Sequence, residues 1–536
     1  MEKQAALVMA MFVTIVAGAQ PSYTKVYLAG GTAKMNLNQL PSDNLLVGLS
    51  WGPGVSIVDP EGNIVQSSHY WSDTILVQQS VRKYSDNEFY FVSGYHKDSC
   101  SMSGTLTIPH TYPLIGKMDS LGNVLALRYY DMDAENCWNL ASDLEITNDA
   151  SVITWGGGGS GIQWSFFALK ADSLGGVAWA HHFQQHGSFQ FVKELPGGDL
   201  LAGINMDTAG VVVARMDANG SFLWCKSYVR PKGMIHDCLI ESDSSFIITG
   251  ITDSIGSTNG FDPLPADFQP KLFMMKLNGS GDVQWCKGYD TEPNFWYARG
   301  GSRIIRTQDG NYTVLANLGM VGYDRPFRPL LMKTNLNGDT LWTRSYGAAG
   351  YTYSTADLIE YSDGGLLYDG IVYGVLPDGW SGAPYILKVD SLGHVPCNEQ
   401  RHPVVVLDLF PSDSSFTLAS VDGATMTVAS VRDTMFAPLA VYDGCVITTI
   451  IEPARSSNFR IYPNPTTGHF TVQFADPLMA ESYYSVYDTM GRLLFQRPLP
   501  KGKETEEVDL SRYSKGTYVI KFTSPEGVCF ERVVLE

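Results

Sequence analysis

Basic residues, cysteines and long apolar runs are all scarce in this chain. Lys and Arg number 37 against 55 Asp and Glu, a net charge of -18, and without clustered positive charge neither nucleic-acid phosphate nor an anionic membrane surface is a fitting partner. Charged residues of both signs make up only 17%, too few for long solvated helices. The eight cysteines include no CxxC pair and no zinc-ribbon or finger spacing. No G-x-S-x-G nucleophile elbow occurs; "GWSGA" around Ser381 fails at its last position. "WGGGGSGIQW" at 155–164 lacks the Lys and Ser/Thr of a phosphate-binding loop and reads as a hairpin tip. Nothing here implies a cofactor or a metal.

Glycine (53 residues) and aromatics (12%) are plentiful, a balance that suits short strands and tight turns, so the expected class is all-β. At 536 residues the chain exceeds one core's capacity, and several domains or a repeat array are expected. "LVMAMFVTIVAGA" after Lys3 has the length of a signal peptide, with cleavage after Ala19. A retained anchor is the alternative, because Glu2 offsets Lys3. No later stretch is apolar for long enough to span a membrane as a helix. Export permits disulfides among the cysteines, all of which follow Ala19, in any of 105 pairings.

One phrase returns seven times: "DPEGNIVQ" at 59, "DSLGNVLA" at 119, "DSLGGVAW" at 172, "DANGSFLW" at 217, "NGSGDVQW" at 278, "NLNGDTLW" at 335 and "DSLGHVPC" at 390. Its glycines, from Gly62 to Gly393, recur about every 55 residues. A base stands two residues before the Asp or Asn in six copies: Lys117, Lys170, Arg215, Lys276, Lys333 and Lys388. An aromatic stands eleven residues after it in six: Tyr70, Tyr130, Phe183, Tyr228, Tyr289 and Tyr346. A turn and an apolar run precede each copy, and a further alternating segment, such as "FQFVKEL" at 189–195, precedes the turn. Four short antiparallel strands per unit, seven times over, predict a seven-bladed β-propeller over residues 20–396. A solenoid or a string of Ig-like sandwiches is the rival, but Ig-like domains need about 100 residues each.

Within the phrase, the Asp or Asn is expected to accept backbone N–H groups in an Asx turn and the Gly to take φ > 0. The Trp is expected to pack between blades. The phrase resembles the Asp-box of sialidase-type propellers, yet it lacks the leading Ser-x and spaces Asp and Gly one residue wider, so no such activity follows. Calcium in any one copy is disfavoured because most copies lack a later carboxylate at liganding spacing. Copy seven departs, with Cys397 for the Trp and Arg401 for the aromatic. The closing blade is therefore expected to borrow a strand, with "YTKVYLAG" at 23–30 as the candidate.

From Phe459 the chain changes character. Tyr462, Pro463, Asn464, Pro465 and Gly468 open it; "VYDTMGRLL" follows with Asp488, Gly491 and Arg492; then "VDLSRYSKGTYVIKF" with Asp509, Leu510, Gly516 and Tyr518; and "ERVVLE" closes it. These blocks, in this order, resemble the type A C-terminal sorting domain of the Bacteroidetes type IX secretion system, with a tail less basic than many members. Alternating runs such as "FTVQF" and "YVIKF" independently predict a small β-sandwich over 456–536. The resemblance implies a route through the periplasm to the outer cell surface or medium, with the secretion machinery as a partner. Between the two domains, 397–455 reads as a β-rich bridge with strand-like "HPVVVLDLF" and "TMTVASV", and a Cys397–Cys445 disulfide is the candidate tether.

Candidate chemistry is sparse. In "HHFQQH" the adjacent His181 and His182 would face opposite sides of a strand, which disfavours a metal site. Cys225 and Cys286 share a repeat position and have no neighbouring His to activate a thiolate. Trp296, Tyr297 and Trp380 fall in loop-like sequence and are the candidate ligand-binding residues, with packing between blades as the plainer reading. The favoured function is recognition of a glycan or protein; the alternative is an extracellular hydrolase or lyase with its site at the propeller channel.

Overall fold

The computed structural model describes residues 22–28, 36–48, 54–69, 75, 80–102, 106–132, 137–160, 163–183, 185–206, 210–228, 233–252, 271–291, 295–297, 303–320, 327–348, 350–374, 382–418, 420–429, 440–443, 459–474, 477–478, 482–488, 493–524 and 527–536. The signal sequence read at 1–19 lies outside them. The chain divides into two compact units, 1–448 and 449–536. Among the described residues every regular element is a strand, and no helix is long and apolar enough to cross a membrane.

The first unit holds seven antiparallel sheets, built in chain order from four strands each. Sheet 1 is Leu37–Gln39, Leu45–Gly48, Gly54–Val58 and Ile64–His69; sheet 2 is Ser80–Lys83, Glu88–Met102, Leu106–Asp119 and Val124–Asp131; sheet 3 is Asn139–Ile146, Val152–Ser160, Gln163–Ala171 and Val177–Phe183. Sheet 4 is Gly187–Glu194, Leu200–Met206, Gly210–Met216 and Phe222–Tyr228; sheet 5 is Gly233–Ser242, Ser245–Thr252, Leu272–Asn278 and Val283–Asp290. Sheet 6 is Arg303–Arg306 together with Phe295–Tyr297, then Tyr312–Met320, Arg328–Thr334 and Thr340–Tyr346. Sheet 7 is Thr352–Glu360, Leu366–Tyr373 and Gly382–Val389, and its fourth strand is Tyr23–Leu28 from the other end of the chain.

Apolar pattern follows position. The middle strands Leu200–Met206 and Gly382–Val389 are buried along their whole length because sheets cover both their faces, whereas the fourth strand of sheet 2 alternates. Each sheet shares a core with the next: Leu46 with Phe89, Val92 with Phe167, Ile153 with Val192, Leu201 with Ile248, Ile247 with Val314, Leu315 with Tyr368, and Leu367 of sheet 7 with Leu45 of sheet 1. The seven sheets therefore close into a propeller-like ring with a core at every joint.

The recurring phrase makes the joints. In all seven copies the Asp or Asn Oδ1 accepts the N–H groups of the residues two and four further on, at 2.7–3.1 Å. The seven glycines have φ of 78° to 88°, a region where a β-carbon is strained. Five of their carbonyls receive the neighbouring sheet's tyrosine hydroxyl, Tyr70 lying outside the described residues: Tyr27 on Gly62 at 2.8 Å, Tyr130 on Gly175 at 3.1 Å, Tyr228 on Gly281 at 2.6 Å, Tyr289 on Gly338 at 2.8 Å and Tyr346 on Gly393 at 2.7 Å. Tyr27 thus supplies at the closing seam what the others supply inside the repeat. Sheet 3 has Phe183 there, and its contact comes from Trp179 Nε1, which donates to Ala218 O at 3.1 Å.

The base two residues before each phrase is an ion-pair partner within its own sheet. Lys117, Lys170, Arg215, Lys276, Lys333 and Lys388 meet Glu88, Asp149, Asp199, Glu241, Asp309 and Asp363 at 2.6–3.0 Å. These acids belong to the turn between first and second strands, so both kinds of tight turn lie at one end of every sheet.

Most of the stretch read as a bridge, residues 397–448, belongs to the first unit and its strands pair with that unit's sheets. Tyr23–Leu28 occupies the place a fourth strand of copy seven would take, so after Asp390 the chain cannot pair within its own sheet. It passes backwards along the ring, adding an outer strand to each sheet it meets: Glu399–Arg401 on sheet 6, Val405–Asp408 on sheet 5, Asp413–Ser415 on sheet 4, Ser420–Asp422 on sheet 3 and Thr425–Val428 on sheet 2. It ends at Ala440–Asp443, paired with Tyr23–Leu28. This belt covers outer edges that would otherwise offer unpaired N–H and C=O groups to other chains.

The second unit has a three-stranded sheet (Phe459–Tyr462, His469–Phe474, Thr505–Asp509) and a four-stranded one (Leu493–Leu499, Ser482–Asp488, Gly516–Ser524, Gly527–Leu535). Phe470, Val472 and Val508 of the first meet Val486, Ile520 and Val533 of the second in one core.

Candidate functional site

Two positions recur in frame on or beside the first strand of each sheet. Counting back from the residue that opens each first turn (Leu40, Tyr84, Thr147, Leu195, Glu241, Thr307 or Tyr361), the fourth is Asn36, Ser80, Asp143, Phe191, Asp237, Arg303 or Asp357. The second is Asn38, Arg82, Glu145, Lys193, Leu239, Ile305 or Ile359. Irregular register at Ala141/Asp143, Ile235/Asp237 and Thr355/Leu358 accompanies three of the acids.

The charged side chains among them meet across the ring, while Phe191, Leu239, Ile305 and Ile359 pack into the cores between sheets. Arg82 of sheet 2 reaches Asp143 of sheet 3 at 3.1 Å and Asp357 of sheet 7 at 3.6 Å. Arg303 of sheet 6 reaches the same two acids at 3.9 Å each and donates to Ala356 O at 2.9 Å. Sheets 6 and 3 are not neighbours in the ring, so this contact crosses its centre. Lys193 meets Asp237 at 2.7 Å, whose other oxygen accepts the Ile304 N–H at 3.0 Å. Ser80 Oγ donates to Asp143 at 2.5 Å. Three cations face three carboxylates. Their side chains are 7–29% exposed.

Ionisation follows the pairing. Burial raises the Asp143 pKa, but Arg82, Arg303 and hydrogen bonds from Ser80 and Leu144 outweigh it and hold the carboxyl below its usual range. Burial acts likewise on Asp237 and is outweighed by Lys193 and Arg303. Glu145 behaves differently: burial lifts it to about 7, Lys193, Arg82 and the Glu194 amide pull it back only in part, and Asp143 adds to the rise. Asp369, behind the axis, is lifted well above its usual value by burial and then by Asp357, and its Oδ1 accepts the Asp357 N–H at 2.6 Å. Burial, then Arg303, depresses His236 to about 4. The axis thus combines a neutralised ion network with one carboxyl, Glu145, poised to exchange a proton near neutrality.

The residues singled out from sequence lie elsewhere. Trp296 and Tyr297 are on Phe295–Tyr297, whose backbone pairs with Leu318–Met320; their side chains, and Trp380, lie outside the described residues. His181 Nδ1 meets Asp422 of the belt at 2.6 Å, while buried His182 meets Ser165 Oγ at 3.0 Å, so the two do point to opposite faces. Among the described residues no three His, Cys, Asp or Glu side chains are grouped to hold a metal. Cys225, Cys238 and Cys286 are free thiols. Burial pushes Cys225 and Cys286 up to about 12, which keeps them protonated and unreactive. Cys397 is disulfide-bonded, as is Cys137; Cys445 lies outside the described residues.

In the second unit Asn464 has a defined role. Its Nδ2 donates to Arg532 O at 2.6 Å and its Oδ1 accepts the Val534 N–H at 2.9 Å, clamping the first strand's end to the last strand. Tyr462 is 48% exposed and joins Pro463 and Pro465 at the surface. Gly468 O accepts the Leu510 N–H at 2.7 Å, and a β-carbon on Gly468 would press on Ser511. The Tyr518 hydroxyl donates to Ser514 O, and Gly516 has φ 154°. Asp488 pairs with Tyr518 in register; Gly491 and Arg492 lie outside the described residues.

Residues 460–536 match the family model described as the secretion system C-terminal sorting domain. No curated protein matches the chain. Among solved structures, a protein of unknown function from Bacteroides caccae is 12% identical, covering 72% of this chain and 94% of its own, at a TM-score of 0.26. The polysaccharide lyase Uly1 is 9% identical over 68% of this chain and 90% of its own, at 0.37. Drosophila Semaphorin 2a is 8% identical over 95% and 96%, at 0.35. Likenesses this loose carry no argument about activity.

Proposed function

We propose, from the premise that the chain carries a type IX secretion C-terminal sorting domain at 460–536 and is therefore exported to the cell surface or beyond, that the first unit is a seven-bladed β-propeller displayed there as a recognition module for a glycan or protein. The observation that supports recognition is the asymmetry between the two ends of the sheets. At one end every connection is a short turn tied into its neighbours. At the other, connections from second to third strand run from 161–162 in sheet 3 to 253–271 in sheet 5, with 321–327 and 374–381 in sheets 6 and 7. A rigid scaffold with one invariant end and one variable end is how loop-borne specificity is organised. On this reading the sequence candidates Trp296, Tyr297 and Trp380 serve as the loop-borne aromatics of that recognition. The axial acids support the same reading, since Asp143, Asp237 and Asp357 are already matched by cations.

The test is a glycan and surface-protein binding array on the mature chain, followed by Trp296→Ala/Trp380→Ala. A drop of about tenfold or more in the strongest interaction is expected, and unchanged binding overturns the assignment of the face. A second reading, a hydrolase or lyase at the channel, draws on Glu145 alone, whose value of about 7 suits general acid–base work. Product release from extracellular polysaccharide or protein that disappears in Glu145→Gln would favour it over recognition.

A further inference from the structure

The belt reveals a second frame-locked position. Nine residues after each Asp or Asn of the phrase, the outer strand carries Arg128, His181, Lys226, Lys287 and Arg344 in sheets 2 to 6. Four of these five are met by a belt acid: His181 by Asp422 at 2.6 Å, Lys226 by Asp413 at 2.9 Å, Lys287 by Asp408 at 3.4 Å and Arg344 by Glu399. Lys226 and Lys287 also meet the acid at the fourth position of the next turn, Asp282 at 2.6 Å and Asp339 at 3.3 Å.

Arg128 has neither partner. In strict register His181 faces Asp422 and Lys287 faces Asp408, whereas Arg128 faces Val428. The fourth position of the next turn is Gly176. Among the described residues no carboxylate pairs with the Arg128 guanidinium, and its Nε is buried without a hydrogen-bond partner. The neighbouring acids are engaged: Glu88 with Lys117 at 2.9 Å, and Asp172 with the N–H groups of its own turn. Beside Arg128 lies a cavity of about 280 Å³ between sheets 2 and 3, lined also by Tyr90, Lys117, Tyr130, Leu125, Leu174 and the engaged carboxylates Glu88 and Asp172. Its exposed lining is apolar at Leu125 (52%) and Leu174 (78%), and Val428, paired opposite Arg128 on the belt, is 70% exposed.

We propose that the Arg128 cavity is a carboxylate-binding site that docks an acidic side chain flanked by apolar residues on a protein partner. The four occupied positions state what the site takes, since each holds an Asp or Glu carboxylate against the equivalent cation. A half-buried guanidinium with an unmet donor gains a charge-assisted hydrogen bond when such a group enters. The rim selects a peptide over an acidic sugar: leucine and valine side chains cover apolar residues, whereas a sugar's hydroxyls would lose water without finding partners.

The experiment uses the mature full-length chain and calorimetric titration with an acetylated Leu-Asp-Leu amide, its Leu-Asn-Leu counterpart, N-acetylaspartate and glucuronate. Expected is binding of the Asp peptide, at least tenfold weaker binding of the Asn peptide, and weaker binding still of the two small acids. Arg128→Gln should lose the interaction. Val428→Asp, at an exposed site, should also lose it, because it installs the belt acid that Asp408 and Asp422 provide elsewhere, while Tm holds or rises. Equal binding of Asp and Asn peptides, preference for glucuronate, no Asp-peptide binding at millimolar concentration, or wild-type binding by Val428→Asp would each overturn the proposal.

Discussion

Glu145→Gln is the sharpest probe of the axial network, because its effect is expected to reverse the usual cost of changing an enclosed residue. Glu145 has a pKa of about 7 in the fold against 4.5 for a free glutamate, so the folded state holds its proton more tightly than the unfolded chain. The associated stability is fully present below about pH 4.5 and is lost as pH rises through about 7. Linkage gives a cost of ~1 kcal/mol at pH 5 and ~3 kcal/mol at pH 8. Glutamine keeps the shape and cannot ionise, so it removes the cost. With an unfolding entropy of ~2.1 cal/mol/K per residue over roughly 400 residues, 3 kcal/mol corresponds to ~3 °C in Tm. The assay is calorimetric melting of both proteins at pH 5 and pH 8, comparing differences so that other titrating groups cancel. Glu145→Gln should melt ~3 °C higher at pH 8 and within ~1 °C of wild type at pH 5. A Tm at pH 8 equal to or below wild type would refute the reasoning, since it would mean that Lys193 and Arg82 satisfy the ionised carboxylate.

Three further outcomes follow from the same geometry. Arg303→Met strips Asp143 and Asp357 of a shared cation and frees the Ala356 carbonyl, and should cost ~3 kcal/mol, read as a Tm lowered by ~3 °C; an unchanged Tm would show that Arg82 alone suffices. Replacing Tyr27, Tyr130, Tyr228, Tyr289 and Tyr346 together by Phe removes five hydroxyl-to-glycine bonds between sheets and should cost ~5 kcal/mol in denaturant titration; a loss under ~1 kcal/mol would place the joints' strength in apolar packing alone. Asn464→Ala cuts both clamps to the last strand and should reduce the chain recovered outside the native host several-fold by immunoblot, with normal recovery showing that the clamp is dispensable for sorting.

What the sequence disclosed depended on whether a position repeats one residue type. The Asx turns and the positive-φ glycines from Gly62 to Gly393 are physically identical in each copy, and the tyrosine joints recur in most, so aligning the copies exposes them. The borrowed closing strand at Tyr23–Leu28 was legible because copy seven breaks where its own fourth strand would begin. The axial positions are the opposite case. One holds Asn36, Ser80, Asp143, Phe191, Asp237, Arg303 and Asp357 in turn, and no single chemistry recurs to mark it. The charged ones are complementary to charges across the ring, a relation that exists only once it closes. The frame was nevertheless countable from the first turns, and a tally of charges at fixed offsets would have found them. Trp296, Tyr297 and Trp380 drew attention instead because aromatics in loops are conspicuous singly.

The belt shows the same division. "HPVVVLDLF" and "TMTVASV" could be read as strands, but their destinations could not, because pairing register between segments hundreds of residues apart leaves no local pattern. Belt strands are three or four residues long and largely exposed, so an apolar face cannot fix their register as it does for a buried strand. The ion pairs at His181, Lys226, Lys287 and Arg344 are placed to do so. Each is worth little alone, about 0.2–1 kcal/mol at a wet surface, but a slip of one residue would displace the acids along a connected belt. The charge pattern therefore sets register where hydrophobicity cannot. This account also explains how Arg128 can be left unmatched: Thr425–Val428 is bracketed by the fixed Asp422 on one side and the closing strand Ala440–Asp443 on the other, so sheet 2 can dispense with its own pin, and its cation is free to meet a carboxylate from outside.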